Sequence, residues 1–162
     1  MQQTLINKLH KYIAENNPDL LFELEEDRKV AAYLLDKITT VNSLIKQMED
    51  GQPAYLIEDT CMDVLTQDLR PSKFNYISNL LQEEFESTYN QLQESGTLKF
   101  EVINLIHYSQ SVFDDLNFSN ENEDNQFLRY AIIGTISEYL EGVTSENKNV
   151  KDGLQQSTKT EG

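Results

Sequence analysis

One cysteine, two histidines and a close run of glutamates are the residues of this chain best equipped for catalysis, and their spacing argues against it. His10 and His107 lie far apart in sequence. Each follows an aliphatic residue, Leu9 or Ile106, at the flank of an apolar stripe, which is the place of a boundary residue. Cys61 falls on an apolar helix face with no histidine or base nearby in sequence, so it reads as a buried small hydrophobe rather than a thiolate nucleophile. Glu83 and Glu86 share one side of a helix while Glu84 turns toward Leu80 and Leu81. General acid–base work requires two carboxyls held in unlike environments, and nothing local provides them, so these acids read as a solvated face. A glycine-rich phosphate loop, CxxC, HExxH, GxSxG and the Glu-x-x-His pair of di-iron bundles are all missing. The sequence therefore names no catalytic, cofactor-binding or metal-ligating residue.

Two other stretches could bind an ion. With Asp115 as first position, Asn117, Ser119, Glu121 and Glu123 occupy the odd places of a twelve-residue calcium loop. The sixth place, however, is Asn120 where glycine makes the turn. Asn122 stands at the aliphatic eighth place, and Gln126 at the twelfth cannot give a bidentate carboxylate. An acidic loop with incidental cation affinity is expected. The second stretch is "LTQDLRPSKFNYISNLLQEEF", where Arg70 and Lys73 bracket a proline and Ser72 in an otherwise acidic chain. Pro71 prevents one helix from continuing and Ser72 can cap the next, with Asn75 at the N3 place as a capping-box partner. Arg70, Ser72 and Lys73 are the candidates for a weak anion or partner site beside a helix N-terminus.

The charge of −15 is unevenly spread over the 162 residues. Residues 1–73 hold 13 acids and 8 bases, whereas residues 74–142 hold 12 acids against Lys99 and Arg129 alone. Such a surface repels nucleic-acid phosphates and anionic lipid and attracts basic partners at low salt. The length suits one domain, no apolar run approaches the roughly 20 residues of a membrane helix, and one cysteine cannot form an internal disulfide. The start lacks the marks of a signal peptide, so a cytoplasmic protein is expected.

The elements that must position these residues are all helical. Leu5, Leu9 and Ile13 give a first helix over 4–16, ended by Asn16-Asn17-Pro18. "DLLFELEED" reads as a connection. Val30, Leu34, Ile38, Val41, Ile45 and Met48 form a heptad-type seam that predicts one long helix over 26–50. A third helix over 53–69 carries Ile57, Cys61, Val64 and Leu65, and a fourth over 73–94 carries Phe74, Ile77, Leu81, Phe85 and Leu92. A fifth follows Thr97 with Phe100, Ile103, Ile106 and Phe113, and a sixth over 125–141 carries Leu128, Ile132, Ile136 and Leu140. The expected fold is all-α: about six helices in a compact bundle or array, one domain over 1–142 with sub-halves 1–94 and 97–142. Gly142 closes the last helix, and residues 143–162, poor in aliphatics, read as a disordered tail. "FNYISNLLQEEFE" and "RYAIIGTISEYLE" share Ile77/Ile132, Glu83/Glu138 and Glu86/Glu141, an echo that convergent amphipathic patterning explains.

In combination, "LHKYIAENNPDL", "DRKVAAYLLD", "MEDG" and "CMDVLTQDLRPSKFNYISNLLQEEF" resemble a bacterial family of helical proteins known only as a domain of unknown function, often found near mobile elements. The likeness runs from Leu5 to Glu86. It is carried best by Leu69, Ser72, Lys73 and Phe74, and it is broken at Arg70 and Pro71, where the family tends to a small or aromatic pair. It implies an all-helical cytoplasmic protein and brings no catalytic residues.

The expected function is a non-catalytic protein–protein interaction or self-association module, without cofactor, with a protein partner or a second copy as ligand. Tyr12, Tyr33, Tyr76, Tyr89 and Tyr139 lie on helix faces where a ring can bury its body and keep its hydroxyl wet. The alternative is an acidic DNA mimic occupying a basic nucleic-acid-binding protein, in which Glu83, Glu84, Glu86, Asp114, Asp115, Glu121, Glu123 and Asp124 would stand in rows. An enzyme using His107 or Cys61 with a displaced acid is the remaining alternative. Direct DNA binding is not expected, because Arg70, Lys73, Arg28 and Lys29 are too few.

Overall fold

A computed structural model describes the backbone of residues 1–159 and the side chains of residues 1–143. Among the described residues the protein is all-helical: ten α-helices and one 3-10 turn, with no strand. The helix count corrects the expectation of six. Most stripe residues are buried as the sequence put them, with Val64 and Phe100 exposed instead, and the backbone breaks more often than the stripes do.

The first break is at Asn17. Helix α1 (Gln2–Asn16) buries Leu5, Leu9 and Ile13, and α2 (Pro18–Glu26) follows at once, with Pro18 at its first turn. Asn17 takes φ −135° and ψ 53°, as expected of a residue that a following proline bars from helical geometry. "DLLFELEED" is thus a helix and not a connection, because a proline that stops one helix is equally suited to open another. Helix α2 ends in a Schellman arrangement: Lys29 N–H reaches Leu24 O at 2.8 Å and Arg28 N–H reaches Glu25 O at 3.1 Å. Arg28 holds the left-handed position, φ 56°.

The long seam helix is cut in two, α3 (Val30–Thr39) and α4 (Asn42–Met48). The Thr39 and Thr40 hydroxyls donate to the carbonyls of Asp36 and Lys37, each at 2.6 Å. Threonine hydroxyls compete in this way with the helical ladder. The seam survives the cut, since Leu34, Ile38, Val41 and Ile45 are all buried.

Helix α5 (Ala54–Thr66) runs into a 3-10 turn, Gln67–Leu69. It buries Ile57, Cys61 and Leu65, but Val64, expected on that face, is 45% exposed. The expected helix over 73–94 is α6 (Lys73–Glu84) and α7 (Glu86–Ser95), separated at Phe85, whose φ −135° and ψ 50° nearly repeat those of Asn17. No proline follows Phe85, and the sequence gives no local reason for this break. Gly96, φ 74°, closes α7 with Thr97 N–H on Leu92 O at 3.0 Å.

The chain divides into two compact units, Met1–Ile103 and Asn104–Gly162, with the boundary inside α8 (Leu98–Tyr108). In the first unit α1 lies against α2, α3 and α5, and α4 against α5. Its main core joins Leu5, Leu9 and Ile13 to Leu34, Ile38, Val41, Ile45, Ile57, Cys61, Leu65 and Leu69. In the second unit α9 (Gln110–Asp115) meets α10 (Gln126–Lys159), and Leu128, Ile132 and Ile136 are buried. Phe113 packs on Phe118 with ring centroids 4.9 Å apart. Asn125 opens α10, its side-chain oxygen accepting Leu128 N–H at 3.1 Å. The helix passes Gly142, its expected end, and continues to Lys159, since an interior glycine weakens a helix without forbidding it. The expectation of disorder over 143–162 falls chiefly on residues whose side chains lie outside the described ones.

Candidate functional site

The stretch around Arg70 and Ser72 folds into a clasp between helix ends. Ser72 takes extended geometry before α6, and its Oγ accepts Asn75 N–H at 3.0 Å, the cap that the sequence announces. The same hydroxyl donates to Asn16 O, a carbonyl at the end of α1. One Ser72 hydroxyl therefore serves a helix N-terminus and a helix C-terminus together, both of which otherwise leave orphan groups. Asn75 Nδ2 donates to Asn16 Oδ1 at 2.9 Å, and Asn16 Nδ2 to Tyr12 O at 3.0 Å. Asn17 Nδ2 reaches Leu69 O at 3.2 Å. The asparagines that end α1 are thus stitched to the junction 69–75.

Arg70 points the other way. Its Nη2 donates to Asp63 O at 3.2 Å and its Nε to Thr66 O at 3.4 Å. A guanidinium on the last carbonyls of a helix satisfies acceptors and opposes the negative end of the helix dipole. The Arg70–Pro71 peptide is cis, and Lys73 is half-buried. The three candidate residues are adjacent in the fold, but Arg70 and Ser72 direct their polar atoms at backbone groups.

The residues with catalytic chemistry are not brought together. Cys61 is fully buried, and burial pushes its thiol up from the usual 9.0, the opposite of what a nucleophile requires. His10 and His107 are exposed, as are Glu83, Glu84 and Glu86. In the loop after α9, Asn117 holds φ 53° and Asn122 closes the turn. The Asn122 amide donates to Leu116 O at 2.8 Å and Asn117 O at 3.0 Å, while its oxygen accepts Ser119 N–H at 2.8 Å. Among the described residues no group of three or more His, Cys, Asp or Glu is placed to hold a metal, and no helix is long and apolar enough to cross a membrane.

Two ion pairs tie elements of the first unit. Lys8 Nζ meets Glu58 Oε2 at 2.6 Å, and the hydrogen bond to Glu58 holds the Lys8 ammonium above its usual 10.5. Lys37 pairs with Asp68 and stands 5.8 Å from the centroid of the Tyr33 ring. Burial raises the Tyr33 hydroxyl above its usual 10.0.

The exposed apolar residues are the surface feature that sequence reasoning missed. Tyr55, Phe100, Phe127 and Tyr130 are each at least 60% exposed, and Phe22 is 40% exposed. Phe100 was expected among the buried residues of its helix. Phe127 and Tyr130 stand off the Leu128–Ile132–Ile136 stripe, and that offset is the signal that could have found them. By contrast Tyr12, Tyr33, Tyr76, Tyr89 and Tyr139 are all half-buried. Comparison with protein-family models, curated proteins and solved structures gives no match.

Proposed function

We propose that this chain is a non-catalytic helical interaction module whose ligand is a basic protein. The observation that carries this reading is the set of exposed aromatics (Phe22, Tyr55, Phe100, Phe127 and Tyr130) on a chain of net charge −15. Aromatic side chains are the preferred anchors of protein interfaces, and a strong negative field steers a basic partner to them. The burial and raised pKa of Cys61 and the exposure of both histidines support a non-catalytic role. Self-association through the same aromatics would bring two highly acidic surfaces together, so a heterologous basic partner is favoured over a second copy. Membership in the helical family resembled by residues 5–86, and a cytoplasmic location, belong to the same proposal.

The acidic DNA-mimic reading draws support from one specific observation. Glu83, Glu84, Glu86, Asp114, Asp115, Glu121, Glu123 and Asp124 are all exposed. The two readings separate by salt. Tagged protein is used to capture partners from the source cell at about 0.15 M and again near 1 M salt, where the Debye length shrinks to about 3 Å. The module retains its partner through apolar anchors, whereas a mimic held by charge alone releases it. Capture of nothing at either salt, with a single monomeric species in sedimentation, contradicts both.

A further inference from the structure

We infer that the groove between α2 and the start of α8 docks a basic amphipathic segment of a protein partner through one bulky apolar side chain. This rests on the interaction reading above and gives it a place and a chemistry. Ala14, Pro18, Leu21, Phe22, Phe100 and Ile103 line a concavity of about 210 Å³. That is below the roughly 300–1,000 Å³ of small-molecule pockets and suits a single large side chain. Phe22 and Phe100, 40% and 60% exposed, stand in water on its two walls. A side chain inserted between them would bury both rings at once.

Charge decides what carries that side chain. Helix α2 bears Asp19, Glu23, Glu25 and Glu26 with no base, and Glu25 is part of the groove wall. The opposite wall contributes Lys99, which Glu101 follows. Glu25 and Lys99 balance within the groove itself, so the bias comes from the other acids of α2 and from the net charge of −15, which disfavour an acidic peptide, an anionic membrane and a second copy of this chain. A helix or strand with an apolar anchor and flanking lysines or arginines is attracted. Glu25 and Lys99, on facing walls, orient it with a cation toward α2 and an acceptor toward α8.

The test uses a labelled amphipathic leucine–lysine peptide, with oligolysine of equal charge as control, titrated by fluorescence anisotropy at about 0.15 M salt. Phe22→Ser with Phe100→Ser removes exposed rings, and circular dichroism verifies that the double variant folds. The leucine–lysine peptide is expected to bind the wild type more tightly than oligolysine does and to lose at least about tenfold in the double variant. Glu25→Lys is expected to weaken it about threefold or more. Leu35→Ser, at an exposed apolar residue outside both the groove and the aromatic set, is expected to leave the affinity unchanged. Equal binding by wild type and the Phe22/Phe100 variant, or an equal loss in the Leu35 variant, overturns the groove while the interaction reading stands. No binding of either peptide by the wild type overturns the groove and the basic-partner reading together.

Discussion

At the scale of single residues, Ser72 carries the most structural consequence for its size. Its hydroxyl accepts from Asn75 N–H and donates to Asn16 O, so it holds a helix start and a helix end in one place. Ser72→Ala should cost about 0.5–2 kcal/mol for the lost cap, and toward the upper end because Asn16 O also loses its donor. Urea denaturation reads this as a lower midpoint at unchanged slope, and an unchanged midpoint would count against the clasp. Titration offers a second residue-scale check. Cys61 and Tyr33 are raised by burial and Lys8 by its hydrogen bond to Glu58. A group whose pKa is raised by folding contributes stability below its unfolded value and loses it as pH rises through the folded value. The chain should therefore lose stability on the alkaline side, beginning above the usual thiol value of 9.0. Cys61→Ala should remove the earliest part of that decline. A midpoint flat across this range, or a variant curve parallel to the wild type, would contradict the assignment.

At the scale of elements, the sequence announces apolar faces better than it announces breaks. The seam of Leu34, Ile38, Val41 and Ile45 was legible because burial follows period, and period survives a change of ladder. The cut inside that seam falls at Thr39 and Thr40, whose hydroxyls take the carbonyls of Asp36 and Lys37. Thr60 and Thr135 make the same kind of bond inside unbroken helices, so residue type alone does not place it. Gly96 and Asn117 occupy left-handed helix ends that their identities suggest, whereas Arg28 occupies one that its identity does not. The break at Phe85 has no local signal at all. Of the candidate site, the Ser72 cap was legible from Pro71-Ser72 and the spacing to Asn75. The bonds from Ser72 and Asn75 to Asn16 were not, because they join residues 56 and 59 apart in sequence. Arg28 gives the prediction proper to this scale. A non-glycine residue in the left-handed region costs about 1–2 kcal/mol, partly offset by the entropy of an unfolded glycine. Arg28→Gly should raise stability by up to about 1 kcal/mol, read as a higher thermal midpoint. A lower midpoint would mean that the Arg28 side chain contributes more than its backbone strain removes.

At the scale of the whole molecule, net charge and surface aromatics act together on the proposed reading. On that reading a charge of −15 would keep copies apart and draw basic proteins near. Tyr55, Phe100, Phe127 and Tyr130 then supply what charge alone lacks, apolar area that persists when salt screens the field. The sequence made the charge plain and hid Phe100, which shares the helical spacing of buried Ile103 and Ile106, whereas Phe127 adjoins buried Leu128 but stands off its stripe. The most direct test of the interaction account compares wild type with a variant in which Tyr55, Phe100, Phe127 and Tyr130 are all serine, leaving net charge untouched. Both are used to capture proteins from the source cell at about 0.15 M salt, and the bound fractions are quantified. The account expects a basic protein held in stoichiometric amount by the wild type and reduced at least about tenfold on the folded variant. Equal capture by the two proteins would contradict it.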